Sequence, residues 1–418
     1  MRMQRRRFRA ALGLALAAAL MAAGGCGSSD AGGSGGKTVL TEWDYFGYSP
    51  ASDSAMKLLI SKFELSHPNV TIQRTTIGFA DFRTKLLQAA ATGSYPDIAA
   101  IDNSDVSAFA NQGVLTDVSD KMQSWPELKN YFDAVVQSVK VGPRFYGVPF
   151  RNNTTALWYD KDLLTQAGIA GPPTTWEELR DDARKLTTDK HAGFCFAAAP
   201  TEEGTFTFLP FLWQAGGDIN TIDQHPTVDA LNFVNTLVNV DKSAPKSVLQ
   251  WGQSDVGEQF GSGLCAMMVD GPWVLGSVQS AKFAWDVAPW PAGPKGTASP
   301  LGGEVWTIGK NTEHADAAWD AVSWLADPAD NPKEINESLG NIPNRTNTVD
   351  DPAANWNPIV KTFAAQMATA HPRGIYGDKY TQISQAIWTM EQAVLAGTKN
   401  ATDAAADGSK QIKALVGG

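Results

Sequence analysis

The stretch GSGLCAMMVDGPWVLGS, residues 261–277, decides the fold. Residues 264–269 are an unbroken apolar run of strand length, which reads as a short buried strand. Asp270 and Gly271 break the run, Pro272 suits a first helical position because no N–H is needed there, and Trp273 then stands on the first helical turn. In an open α/β sheet a ligand binds in the crevice beyond the carboxyl ends of the strands, so Asp270 and Trp273 are expected to face that crevice. A flat indole beside a carboxylate suits a sugar ring, whose C–H face stacks while its hydroxyls donate hydrogen bonds. A tight turn around a core tryptophan explains the same residues equally well, and the rest of the chain has to choose.

Outward from this stretch, the same pattern of polar and aromatic residues just after a strand recurs. Residues 38–43 read as a strand opening into Asp44-Tyr45-Phe46-Gly47-Tyr48. Ser49-Pro50 then caps a helix with Met56, Leu59, Ile60 and Phe63 on one face. A strand at 70–77, a helical stripe at Phe82, Leu86, Ala89 and Ala90, and a strand at 97–101 follow, the last ending in Asp102-Asn103-Ser104-Asp105. Strand and helix alternate, which implies a mainly parallel sheet. Residues 146–161 are extended around Pro149 and read as the crossing into a second lobe. There Thr175 and Glu178 have capping-box spacing for a helix through Leu186, and residues 194–199 predict a strand ending in Pro200-Thr201-Glu202-Glu203. A helix bearing Phe208, Phe211, Leu212 and Trp213 stops at Gly216-Gly217-Asp218. Short strands at 283–289 and 305–308 are joined by a Pro/Gly-rich loop at 291–303. Helices are expected at 315–325, 328–339, 358–370, 379–395 and 402–416.

Residues 1–9 hold five arginines, residues 10–23 are apolar apart from Gly13, and Gly24-Gly25-Cys26 follows. This pattern predicts a signal peptide over 1–25, too short to span a membrane. The small residues before Cys26 resemble a bacterial lipoprotein site, with Ala23 where leucine is usual, so Cys26 is expected to carry lipid. Arg5-Arg6-Arg7-Phe8 resembles a twin-arginine signal, but Gln4 and Arg9 depart from it and leave the Sec route equally open. Residues 27–36 are Gly/Ser-rich and read as a tether. The expected location is therefore extracytoplasmic, at the outer face of the cell membrane, with lipid at Cys26 as the sole membrane contact.

A formal net charge of −10, with no basic run after Arg9, argues against nucleic acid and anionic lipid as partners. Fourteen tryptophans are more than a core needs, and some are expected to serve as ligand platforms. The histidines at 67, 191, 225, 314 and 371 are scattered without HExxH or Cys/His spacing, and neither a phosphate-binding P-loop nor a GxSxG elbow occurs, so no metal and no cofactor is expected. With Cys26 used by lipid, Cys195 and Cys265 remain on buried strands in an oxidising compartment. They predict a disulfide, the alternative being two separate buried thiols.

Several passages, in order, carry a resemblance. They are residues 63–68, Tyr95-Pro96-Asp97-Ile98, Gly147-Val148-Pro149 with Trp158-Tyr159-Asp160-Lys161, residues 173–179 (PTTWEEL), residues 211–218 (FLWQAGGD) and residues 267–273. Leu301-Gly302-Gly303 with Trp306, residues 317–325, Asn341-Ile342-Pro343 and residues 393–397 complete them. Together they resemble the extracellular sugar-binding proteins of ATP-driven (ABC) importers, the group that includes maltose- and trehalose-binding proteins. The resemblance implies an α/β, two-lobe periplasmic-binding-protein fold with a mixed sheet flanked by helices in each lobe and a multi-strand hinge. Residues 37–150 with 286–340 would form the first lobe, and 151–285 with 341–418 the second. It implies Trp273 as the main stacking platform and Asp102 as a carboxylate that chelates sugar hydroxyls from the first lobe. Tyr45, Phe46, Asn153, Glu203, Glu304, Trp306, Arg373 and Tyr376 are further implied contacts beside Asp270. The implied partners are a sugar, in particular an oligosaccharide, and the membrane permease subunits of an importer, for a monomeric protein that is not an enzyme. The main rival is a secreted glycoside hydrolase, with Glu202-Glu203 or Asp102 and Asp270 as its acid and base. A peptide or siderophore receptor is a third reading, which would favour charged anchors over indoles.

Overall fold

Two sheets and a short two-stranded hairpin organise the computed structural model, which describes residues 37–327, 342, 344–346 and 359–416. The strands are β1 (Thr38–Asp44), β2 (Val70–Thr76), β3 (Ile98–Asp102), β4 (Lys140–Val141), β5 (Arg144–Phe145), β6 (Val148–Asn153), β7 (Ala156–Asp160), β8 (Met267–Asp270), β9 (Trp285–Ala288), β10 (Ser299–Ile308) and β11 (Ala370–Pro372). The larger sheet has the order β11-β10-β3-β1-β2, with β6 also paired to β10. Its β1–β2 and β1–β3 pairs are parallel, as the strand–helix alternation requires, while β10 runs antiparallel to β3 and β6. The smaller sheet, β8-β7-β9, is antiparallel. Chain crossings join the sheets: β6 leads directly into β7, and β9 into β10. β6 and β10 are buried at every residue, so these crossings run through the middle of the molecule.

The larger sheet carries one hydrophobic core and the smaller sheet one on each face, the third of these gathering Trp158, Phe260, Met268, Val278 and Phe363. The core of the larger sheet packs Leu40, Met56, Leu59 and Phe63 against Ile98, Phe109, Phe150, Trp306 and Val322. The second core gathers Leu157, Leu179, Phe194, Phe208, Phe211, Leu231, Val269, Ile383 and Ile387. The helix Pro50–Ser66 starts where the sequence places it, because the Ser49 side chain accepts from the amide of Ser52 and Pro50 fills a first-turn position. Trp176–Leu186 is capped differently from expectation. Thr175 accepts from the Glu178 amide, but the Glu178 carboxylate turns to the amide and hydroxyl of Thr174, one residue before the cap.

Other elements also depart from their expected form. Residues 194–199 are extended but form only isolated bridges. Their amides alternate between β8 and the loops at Ser243, Val248 and Trp251, so no continuous ladder develops. The apolar run at 264–269 becomes a strand only from Met267; Leu264 is 49% exposed. The turn after it is a 3₁₀ turn, Pro272–Val274, followed by four helical residues rather than a long helix. The Pro/Gly-rich segment read as a loop up to residue 303 enters β10 at Ser299. Gly303 has φ +148°, a region that glycine alone adopts freely, and the β6 pairing shifts register at Glu304/Val305, so strand and bulge coexist with glycine. The helix expected over 358–370 covers Val360–Gln366 and gives way to β11. The leader, Cys26, the tether, the helix at 328–339, and Asn341 and Pro343 lie outside the described residues.

Cys195 and Cys265 are joined by a disulfide with Cα atoms 5.9 Å apart, tying the extended segment to the approach of β8. Across the register of β6 and β10, Arg151 stands opposite Glu304. The pair is buried and two-pronged: Nε donates to Oε2 at 2.6 Å and Nη2 to Oε1 at 3.0 Å. Removing one partner of such a pair strands a buried charge, whereas removing both does not. Arg151→Met should therefore lower stability by about 3 kcal/mol or more. The double variant Arg151→Met/Glu304→Leu should recover most of that loss in denaturant unfolding.

Glu391 poses the opposite situation. It is buried on the helix Tyr380–Leu395 with neither carboxylate oxygen hydrogen-bonded, and burial raises its pKa well above the usual 4.5. A carboxyl whose folded pKa exceeds its unfolded one stabilises fully below the unfolded value, and that contribution is lost as pH rises toward the folded value. Glu391→Gln should then raise the melting temperature by a few degrees at pH 7.5 and leave it unchanged near pH 4, as followed by calorimetry.

Candidate functional site

The ends of several strands and two helix N-termini converge on one cleft. β1 runs out into Tyr45, β3 ends at Asp102, β6 contributes Arg151 and Asn153, β10 contributes Glu304, and the turn after β8 contributes Trp273. The helix Glu202–Gln214 supplies Glu202, Glu203 and Phe206 from its first turns, and Gln253 and Ser254 open the helix Gln253–Gly261. Tyr48, Phe79 and Arg373 complete the lining.

Two aromatic pairs give the cleft its apolar surfaces. Tyr45 and Phe79 meet edge to face at 5.0 Å, belonging to the core of the larger sheet. Phe206 and Trp273 meet at 6.1 Å and 60°, with Trp273 packed against the third core. Trp273 is only half-buried, and its placement depends on the residue two before it. A Cβ on Gly271 would lie 2.0 Å from the indole Cζ3, so the ring folds back over backbone that only glycine leaves clear. The indole N–H makes no hydrogen bond. Tyr45 Oη faces the Glu304 carboxylate without hydrogen-bond geometry, and burial together with that charge raises its pKa.

Between the aromatic pairs the groups are charged. Arg373 is fully buried and spans the cleft: Nη2 donates to both oxygens of Asp102 at 2.9 and 3.0 Å, Nη1 to Glu202 Oε1, and Nε to the Leu301 carbonyl at 3.3 Å. Its guanidinium also lies 4.5 Å from the Phe206 ring centre. Asp102 caps its own turn through the Ser104 amide at 2.8 Å. Glu202 accepts in addition from the hydroxyls of Tyr380, at 2.7 Å, and Ser384. Burial raises the Glu202 pKa, and the adjacent arginine pulls it back. Glu203 Oε1 accepts from the Gln253 amide at 2.9 Å, and burial raises its pKa as well. Arg151 adds Tyr48 Oη at 3.3 Å to its bonds with Glu304.

Of the residues singled out from sequence, Tyr45, Asp102, Asn153, Glu203, Trp273, Glu304 and Arg373 lie together on this lining. Phe46, Trp306, Asp270 and Tyr376 do not. Phe46 and Trp306 are buried behind it, with Phe46 under the Arg151 guanidinium at 4.9 Å. Asp270 is buried below the Trp273 turn, where Oδ1 accepts from the Gly271 amide at 2.7 Å. Burial raises its pKa well above the carboxylate range; the indole of Trp273 favours its charge but lacks hydrogen-bond geometry. Tyr376 donates to Asp218 at 2.9 Å, away from the lining. Tyr48, Phe79, Arg151, Glu202, Phe206, Gln253 and Ser254 line the cleft without having been singled out as contacts. Tyr48, Arg151 and Glu202 stand in post-strand or crossing segments, a signal that could have found them, whereas Phe206, Gln253 and Ser254 have no local mark. Among the described residues no cluster of His, Cys, Asp or Glu is arranged to hold a metal ion.

Comparison with known proteins agrees with this architecture. The maltose-bound T. maritima MalE3 superposes with a TM-score of 0.84 at 26% identity, covering 91% of this chain and 100% of that one. The maltodextrin-binding protein MdxE of Bacillus subtilis is 27% identical over 333 residues, 72% of this chain and 73% of that protein. A Brucella abortus protein named only as a binding protein is 24% identical over 251 residues; the chain spans 60% of its length. Residues 47–332 match the model of the bacterial extracellular solute-binding proteins, and the chain belongs to that family.

Proposed function

We propose that this protein is the sugar receptor of an ATP-driven importer, held outside the cytoplasm by lipid at Cys26, which captures a saccharide between two closing lobes and delivers it to the permease. The observation that carries the reading is that two aromatic pairs, Tyr45–Phe79 and Phe206–Trp273, share one lining with carboxylates, guanidiniums and the amides of Asn153 and Gln253. Alternating C–H faces and hydroxyl edges are the surfaces of a pyranose, and this cleft offers a partner for each. The relatives named for maltodextrin and maltose support the same ligand class. The separation of the larger sheet's core from the two cores of the smaller sheet supports a division into lobes at the β6–β7 and β9–β10 crossings; the protein is proposed to act as a monomer. Binding, not hydrolysis, is the reading supported by the family and by the arginines that hold Asp102, Glu202 and Glu304.

A carbohydrate panel read by thermal shift tests this, since a ligand that binds only the folded state raises the melting temperature. At least one sugar should do so, and Trp273→Ala should weaken that sugar by about thirtyfold, or about 2 kcal/mol. The ligand-free variant should lose little stability, because the indole is half-open to the cleft. A variant that unfolds early with unchanged affinity would make Trp273 a packing residue only.

A further inference from the structure

The charges of the cleft add up unevenly. Four carboxylates line it, Asp102, Glu202, Glu203 and Glu304, against two guanidiniums, Arg151 and Arg373, and among the described residues no lysine does. Both guanidiniums are spent inside the protein. Arg373 is closed off from solvent and divides its donors among Asp102, Glu202, Asn103 and the Leu301 carbonyl. Arg151 is equally buried and forks onto Glu304 with Tyr48 beside it. Glu203 is different. Its carboxylate makes no ion pair among the described residues; there Oε1 accepts one hydrogen bond, from a backbone amide, and Oε2 accepts none. One open region next to the cleft, sharing Tyr45, Tyr48, Phe79, Glu203 and Ser254 with it, adds Asp81 and Asp255 and no basic residue; another, sharing Tyr45, Phe79, Asp102 and Glu202, holds Arg83, which is paired with Asp105 at 3.1 Å.

Resting on the sugar-receptor reading, we infer that Arg151 and Arg373 are internal counter-ions and not ligand anchors, and that the cleft therefore selects uncharged saccharides and rejects acidic ones, with Glu203 as the residue that enforces the choice. An anionic sugar would meet no free cation. Entering past Asp81 and Asp255, it would come to rest against the half-buried Glu203 carboxylate, which has no cation paired with it among the described residues, where like charges repel more than in water. A hydroxyl has no such difficulty, since Glu203 Oε2 is an acceptor without a donor.

Matched pairs of one skeleton test the inference: glucose with glucuronate, galactose with galacturonate, and maltose with its analogue carrying glucuronate in place of the non-reducing glucose, each titrated by calorimetry at fixed ionic strength. In at least one pair the neutral member should bind and its acidic counterpart should be weaker by at least about tenfold. Glu203→Gln keeps an acceptor on the Gln253 amide and should narrow that gap severalfold. A purely structural role would weaken both members alike. Asp81→Asn, which lies on the approach and outside the cleft lining, should narrow it too if Glu203→Gln binds too weakly to compare. An acidic sugar that binds as tightly as its neutral partner, or a gap unmoved in both variants, would overturn the inference while leaving a sugar receptor. If no member of any pair, and no sugar of the wider panel, binds, the receptor reading fails and this one with it.

Discussion

A single guanidinium holds the centre of this molecule. Arg373 follows β11 on the edge of the larger sheet, yet its charge is shared between Asp102, at the end of β3, and Glu202, at the start of a helix in the second core. None of the three could be buried alone, because an unpaired charge removed from water costs several kcal/mol. Their mutual neutralisation lets a strand end and a helix start approach closely enough to wall a cleft. The Phe206 ring beneath the guanidinium completes the arrangement, so the aromatic and ionic parts of the site are fixed by one side chain.

The second arginine repeats the principle within the crossing strands. Arg151 and Glu304 neutralise each other where β6 and β10 pair, and the guanidinium rests on Phe46. Phe46 and Trp306 thus reach the site indirectly. They pack beneath the ion pair and set the floor on which Arg151, Asn153 and Glu304 stand. Asp270 has a similar supporting part, since its carboxyl binds the Gly271 amide at the turn that carries Trp273.

What could be read from the sequence follows from the range of the interactions involved. Ser49-Pro50 capping, the strand end at Asp102 and the Gly271–Trp273 turn are local, and each was legible within a few residues. The entry of Pro300, Gly302 and Gly303 into β10 was not, because proline and glycine read as loop until a partner strand is known; β3 and β6 supply that partner. The roles of the two arginines were hidden for the same reason. Arg373 meets a carboxylate 271 residues away, and Arg151 one 153 residues away, and no spacing rule reaches so far. Conversely, Phe46, Trp306 and Asp270 carry the right chemistry beside the right strand ends, but one more turn of backbone buries them.

The central claim is that a saccharide ring sits between the Tyr45–Phe79 and Phe206–Trp273 surfaces while Arg373 stays bound to Asp102 and Glu202. A crystal structure of the protein with the sugar that most raises its melting temperature tests this most directly. The expected result is a ring stacked on the Trp273 indole, with hydroxyls on Glu203 and Asn153 and the Arg373 bridge intact. A sugar held elsewhere, or one that draws Arg373 away from its carboxylates to bind it, would contradict the account.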